Sequence, residues 1–401
     1  MKFDWRELLA AFARMFVAFF GLGIPLAYAN IVVTFSAPPY VIRVFPWLSL
    51  LLLVVSMLAI SGFLKKKALR VLWMGFLVVF LGAGAYMGLG AYRDSIPTMD
   101  DRALMLHEYD PFREGTKAVK LDEPSTLQLT REEVLTLRLD GATALYPLYS
   151  AFVQATWPEP QFEYKDNRLA CTNTVYAYER LITGETDLIF VAGPSQAQLD
   201  MAAQAGVELH LTPIGKEAFV FFVNSRNPVT SLTVEQIQGI YSGQITNWKE
   251  VGGKNQSIRP FQRAENSGSQ TALQSLMGDL PLLEPEEEDV IADMGGIIRQ
   301  VASYRNYKNA IGFSFRFYST EMVADDQIRL LALNGVEPTK ETIRDGSYPI
   351  SSYFYAVTAA PIGQPAPQET DPLLSKFLDW VLSEQGQEIV ERTGYVALDK
   401  G

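Results

Sequence analysis

The stretch Gln262-Arg263-Ala264-Glu265-Asn266-Ser267-Gly268-Ser269-Gln270-Thr271 carries residue types and a spacing suited to one kind of chemistry, the capture of an anion. Arg263 offers a planar, permanently charged fork that matches an oxyanion. Ser267, Gly268 and Ser269 lie just ahead of an amphipathic run, Thr271–Met277, that stops at Gly278, and an apolar run ending at Ile258 and Phe261 precedes them. This order predicts a strand, a turn and a short helix with a glycine C-cap. The Ser-Gly-Ser segment then sits at a helix N-terminus, where the first amides lack internal partners and the helix dipole is positive. Glycine admits a close backbone approach and the serines add hydroxyl donors. Glu265 is the odd member, since a carboxylate repels an anion unless the ligand brings a proton to donate. The plainer reading of the same residues is a capped helix beside a surface arginine.

Two more strand-to-helix turns frame that motif. Asp140-Gly141-Ala142-Thr143-Ala144-Leu145-Tyr146-Pro147 follows alternating Leu135, Leu137 and Leu139, which predict a strand, and precedes an apolar segment to Trp157. Thr143 is placed either to cap that helix or to hand a hydroxyl and the next amide to a ligand. Cys171-Thr172-Asn173-Thr174 precedes a helix expected over Val175–Thr183, and the apolar run Asp187–Ala192 exits through Gly193-Pro194-Ser195. A helix over Gln196–Ala205 and strands over Glu208–Pro213 and Ala218–Val223 come next, then a helix over Val234–Tyr241 and strands over Ala310–Phe315 and Tyr348–Val357. Alternating strands and helices define an α/β class with a mainly parallel sheet and ligands at the strand ends. Leu280–Asp289 reads as a solvated acidic run, and Leu373–Val390 as one amphipathic helix.

Charge divides the chain in two. Residues 1–92 hold eight Lys/Arg against two acids, a net of +6, whereas the remainder holds 26 basic and 43 acidic residues, a net of −17. The first part contains three uncharged apolar runs, Met15–Ser36, Phe45–Leu64 and Val71–Tyr92, each of a length that crosses a hydrocarbon core as a helix. Ala27-Tyr28-Ala29 after a basic start also resembles a signal-peptide cleavage site, but two further spans follow and a retained helix is the expectation. Lys2, Arg6 and Arg14 precede the first span and Lys65, Lys66, Lys67 and Arg70 separate the second from the third, so these segments face the cytoplasm and everything after Tyr92 faces outward. No acid lies within a span, which points to an anchor and not to an ion path. The expected division is a three-helix membrane anchor at 1–92, a stalk at 93–130 and an outer domain at 131–401.

Enzyme classes find little support. His107 and His210 are the only histidines, far apart and in unlike contexts. No metal-ligand cluster is evident, so neither a catalytic set, a metal nor a cofactor is expected, and no nucleic-acid partner either. Cys171 is alone, which excludes an intramolecular disulfide and favours a packed thiol over a nucleophile.

Four segments together carry a resemblance: Gly141-Ala142-Thr143; Ile240-Tyr241-Ser242-Gly243-Gln244-Ile245-Thr246-Asn247-Trp248 with Gly252-Gly253; Arg263 with Ser267-Gly268-Ser269; and Phe377, Trp380 and Ser383-Glu384-Gln385-Gly386-Gln387 with Gly394-Tyr395-Val396. On these, residues from about 135 to 398 resemble the phosphate-binding proteins of phosphate ABC transporters, within the periplasmic-binding-protein type II superfamily. The resemblance implies two lobes with a ligand cleft between them, lobe 1 from about 131–224 and 348–401 and lobe 2 from 225–347. It implies phosphate ligands at Thr143 and the amide of Ala144, and at Arg263, Ser267, Gly268 and Ser269, with Glu265 accepting a phosphate proton. Thr172, Asn173, Thr174 and Ser195 occupy turns where the family has further ligands. The chain departs there: a Gly/Ser-rich turn is replaced by Cys171-Thr172-Asn173-Thr174, and the Asp expected after the Asp187 strand is not evident in Ala192-Gly193-Pro194-Ser195. The implied function is capture of inorganic phosphate, or a related tetrahedral oxyanion, for ABC permease subunits, by a protein held in the lipid bilayer of the plasma membrane. The alternative is a sensor or structural module that keeps the fold and binds phosphate weakly or not at all.

Overall fold

The computed structural model describes residues 5–62, 64–94, 98–100, 106–158, 168–285, 290–291, 303–305, 307–322 and 327–399. The chain separates into two compact units, Met1–Pro97 and Thr98–Gly401.

The first unit is helical: α1 (Trp5–Ser36), α2 (Pro39–Ser61) and α3 (Lys66–Asp94). Stretches of 30, 22 and 27 residues within them are long and apolar enough to cross a membrane. Many of their large apolar side chains, Phe16, Trp47 and Leu81 among them, are exposed. Asn30 Nδ2 donates to Ser49 Oγ at 2.7 Å, a polar tie between α1 and α2. Gly62 in the left-handed region ends α2.

The second unit opens with β1 (Thr98–Asp100). Residues 106–130, expected within a stalk, lie instead against the lobe that follows. Tyr109, Phe112, Leu121 and Leu127 pack on its core, and the Gln385 side chain accepts from Thr126 N and donates to Pro124 O. Where the leucine alternation predicted a strand, α4 (Arg131–Thr136) forms, because Thr130 and Glu133 close a capping box, a device that stabilises a helix start by about 1 kcal/mol. Only β2 (Leu139–Gly141) forms a strand there. Then come α5 (Tyr146–Thr156), α6 (Thr174–Ile182), β3 (Leu188–Ala192), α7 (Gln196–Gln204) and β4 (Val207–Asn224). β4 is a single strand of 18 residues spanning both segments expected there.

Beyond it lie β5 (Ser231–Leu232), α8 (Val234–Tyr241), β6 (Arg259–Pro260), β7 (Gln262–Arg263), α9 (Gly268–Met277), β8 (Val290–Ile291), β9 (Ser303–Arg305) and β10 (Ala310–Phe315). The last four positions of the acidic run, 286–289, lie outside the described residues. The chain ends with β11 (Ile328–Leu330), β12 (Ala332–Leu333), α10 (Lys340–Arg344), β13 (Ser351–Pro361), α11 (Pro367–Thr370), α12 (Pro372–Leu382) and α13 (Glu384–Thr393). The single terminal helix expected over Leu373–Val390 is thus two. Ser383 is extended and caps α13, and a Cβ at Gly386 would meet the Val381 carbonyl oxygen at 2.2 Å.

Among the described residues, seven strands make the main sheet in the order β2-β3-β13-β4-β10-β6, with β11 also on β4, and β1–β9, β5–β12 and β7–β8 form three separate two-stranded pairs. The main sheet is mixed, not mainly parallel. Within it only the β2–β3 and β10–β6 pairs are parallel, because β13 and β4 run antiparallel to every strand they pair with. Two apolar cores flank it. The first gathers Tyr149, Phe152, Phe190, Ile214, Phe317, Phe354 and Trp380, and the second Ala218, Phe221, Trp248, Phe313 and Tyr348. The chain therefore passes between lobes inside β4, between Ile214 and Ala218, earlier than the expected boundary at 224. It touches the first core again at Phe317 and Tyr318, goes back to the second by Leu331, and returns finally between Tyr348 and Phe354.

Candidate functional site

The three turns singled out in the sequence meet at one cavity of about 110 Å³. Lobe 1 supplies Thr143 and Ala144 from the β2–α5 turn and Asn173 and Thr174 from the start of α6; lobe 2 supplies Arg263, Ser267, Gly268 and Ser269. Each turn is held by a different local device.

After β2 the backbone makes a short 3-10 turn, Thr143–Leu145, before Pro147 opens α5. Thr143 does not cap that helix, whose N-cap Leu145 has no side-chain bond. The Tyr395 hydroxyl donates to the Ala144 carbonyl, fastening the C-terminal segment to this turn. Behind it, Asp140 is fully buried and accepts from Gly141 N at 2.7 Å and Thr172 N at 2.9 Å through one oxygen. Its other oxygen takes the Thr172 hydroxyl at 2.8 Å and the Arg180 guanidinium. Burial pushes the Asp140 carboxyl up, and the Thr172 and Arg180 bonds pull it back. Asp140 thereby locks the first turn to the second. Asn173 sits at φ 82° and caps α6 by accepting from Val175 N at 2.9 Å. Burial also pushes the Cys171 thiol up to about 12, which keeps it protonated and poorly nucleophilic.

In lobe 2, Ser267 is the N-cap of the ten-residue α9 and accepts from Gln270 N. The same Gln270 accepts from Arg263 N at 2.9 Å and donates to Gln262 Oε1 at 3.0 Å, so one buried glutamine ties the helix start to the strand carrying the arginine. Gly268 faces lobe 1 closely: a Cβ there would lie 3.3 Å from Ala192 Cβ and 3.4 Å from Thr174 Oγ1.

Three residues expected at the site lie off its lining. Glu265 is exposed and its carboxylate accepts at 2.9 Å from Nε2 of Gln274, nine residues later in the second turn of α9. Thr172 spends its amide and hydroxyl on Asp140. Ser195 caps α7, with Gln198 completing a capping box, and its hydroxyl reaches Asn266 in lobe 2. In each case the polar atoms are engaged by protein partners.

Conversely, Glu217, Ser314, Tyr318 and Tyr353 line the cavity and were not singled out. Glu217 had a signal: it is an acid set beside the apolar run Ala218–Val223, and a buried acid calls for an explanation. Its side chain is buried, with Oε1 accepting from Ala218 N at 2.9 Å and Oε2 from Phe317 N at 3.1 Å. Burial, offset in part by those amides and by Arg316, raises its carboxyl to about 7.

Two lobes joined by strands that pass from one core to the other, with a polar cavity built from helix-start turns of both, define a solute-binding architecture. A family profile described as the PBP superfamily domain matches residues 126–385, and the chain belongs to that family. Among its relatives are three proteins each named phosphate-binding protein PstS. The one from Borreliella burgdorferi is 27% identical over 193 residues, 47% of this chain and 65% of its own. The one from Bacillus subtilis is 29% identical over 195 residues, 48% of this chain and 58% of its own. The one from Staphylococcus epidermidis is 27% identical over 272 residues, 65% of this chain and 78% of its own. The chain thus spans less than two thirds of the first two relatives.

Proposed function

We propose that the outer unit captures inorganic phosphate, or a related tetrahedral oxyanion, outside the cell and presents it to the permease of an ABC transporter, while the three-helix unit holds it in the plasma membrane with the Lys-rich segments on the cytoplasmic side. The observation that carries this reading is the meeting of Thr143, Ala144, Asn173 and Thr174 from one lobe with Arg263, Ser267, Gly268 and Ser269 from the other. Helix-start amides, hydroxyls and a guanidinium aimed at one small volume are what an oxyanion needs to replace its water. The excess of basic residues before Tyr92 supports the orientation. The relatives are named for binding phosphate, which supports a binding role.

Calorimetric titration of the full-length protein in detergent, stripped of anion, tests the reading. Phosphate is expected to bind with 1:1 stoichiometry through the Arg263 site. Heat from neither phosphate nor sulfate would turn the assignment to a sensor or structural module.

A further inference from the structure

The cavity has its own acid, and it is not the one the motif offered. Arg263 and Glu217 bring opposite formal charges to the same lining, and among the described residues Glu217 is the only acid there. Counting the lining alone, a tetrahedral dianion, an ionised Glu217 and Arg263 sum to a net of two negative charges beside a buried carboxylate. Placing like charges side by side away from water drives one of them to take up a proton. Glu217 is the group able to do so. Its side chain is buried. Its two oxygens each hold one backbone amide, which leaves acceptor and donor capacity toward the cavity. The groups around it are Arg316 at the end of β10, Lys340 on α10 and the Tyr395 hydroxyl, while the adjacent Lys216 is paired with Asp399. The two cations favour the ionised carboxylate, yet burial outweighs them and the carboxyl already rests near 7 before any anion arrives.

Position gives this acid a second consequence. Glu217 lies in the stretch where β4 leaves the first core for the second, and its Oε2 takes the amide of Phe317, where the chain returns from β10 to the first core. It therefore bridges two of the connections between the lobes.

We propose that Glu217 is a further ligand-binding residue, present in the bound state as a neutral carboxylic acid that donates its hydrogen to an oxygen of the anion, so that each anion enters together with one proton. The inference rests on the oxyanion reading given above. The proton comes from solvent onto the Glu217 carboxylate, no bond in the anion breaks, and the proton returns to solvent on release. The role differs from that expected of Glu265: this acid gives a hydrogen bond to the ligand instead of taking one from it.

The test is the pH dependence of phosphate affinity of the full-length protein in detergent between about pH 8 and pH 9.5, where phosphate is almost wholly the dianion and free Glu217 is ionised. One proton taken up on binding makes affinity fall about tenfold per pH unit, and Glu217→Gln should abolish that slope. A flat wild-type profile, or a slope kept in Glu217→Gln, overturns the proposal. Comparing wild-type binding heats at one pH in buffers of different ionisation enthalpy counts the proton directly and does not depend on the variant folding; a count near zero also overturns it. Absence of phosphate binding by the wild type at every pH would instead refute the oxyanion reading itself.

Discussion

The Ser195 hydroxyl donates to Asn266 Oδ1 at 3.0 Å, joining the N-cap of α7 in lobe 1 to the anion turn of lobe 2. Gln198 Nε2 adds a bond to the Asn266 carbonyl at 3.3 Å. Asn266 is itself left-handed, at φ 63°, a conformation asparagine tolerates better than most residues. These bonds join the two lobes directly, so they are expected to favour the lobes being together.

Asn266→Gly separates the tie from the turn, because glycine keeps the positive φ while removing the acceptor. One net hydrogen bond is worth about 1 kcal/mol. Phosphate affinity measured by calorimetry is therefore expected to fall about fivefold, with thermal stability little changed.

Arg263 and Glu265 stand two residues apart and should behave oppositely. Arg263→Ala removes charge-assisted donors from the cavity, each worth about 1.5–3 kcal/mol, and is expected to weaken phosphate binding by at least about a hundredfold while leaving the circular dichroism spectrum intact. Glu265→Gln should leave both phosphate affinity and the phosphate-to-sulfate ratio unaltered, since its carboxylate is exposed and held by Gln274. A lost preference for phosphate in that variant would return Glu265 to the site.

Gly268 permits the lobes to meet. Its Cβ position is 3.3 Å from Ala192 Cβ and 3.4 Å from Thr174 Oγ1, tight enough that Gly268→Ala should hold the lobes slightly apart. The expected result is an affinity about tenfold lower together with unchanged helix content, and Gly268→Val should be worse. Small-angle scattering with and without phosphate reads the loss of closure independently of affinity.

Stability should also depend on pH through Glu217. Burial raises its folded value from 4.5 to about 7, so the native state favours the neutral acid. Its contribution is therefore complete below about pH 4.5 and is lost as pH rises through about 7, amounting to about 3 kcal/mol across that window. Denaturation of the full-length protein, followed by fluorescence of the buried Trp248 and Trp380, should show the wild type losing about this much relative to Glu217→Gln between those pH values. Parallel curves for the two proteins would refute the shift.

The sequence by itself determined what is local. Twenty uncharged apolar residues in a row identify a membrane-length helix without reference to any neighbour, and Ser267-Gly268-Ser269 after a strand identifies a helix start whatever it faces. Capping at Ser267 and Asn173, and the glycine ends of α2 and α9, follow from side chains within a few residues of the backbone they bind. The tertiary structure decided which polar atoms remain for a ligand, because that depends on partners far away in the chain. Thr172 is claimed by Asp140, 32 residues earlier, and Ser195 by Asn266, 71 residues later. Glu217 reaches the cavity because β4 runs unbroken from one core into the other, pairing with β13 up to Ala218 and with β10 from Phe219 onward. The period of alternation in that strand says which face Glu217 takes. Only the meeting of two lobes makes that face the wall of a binding site.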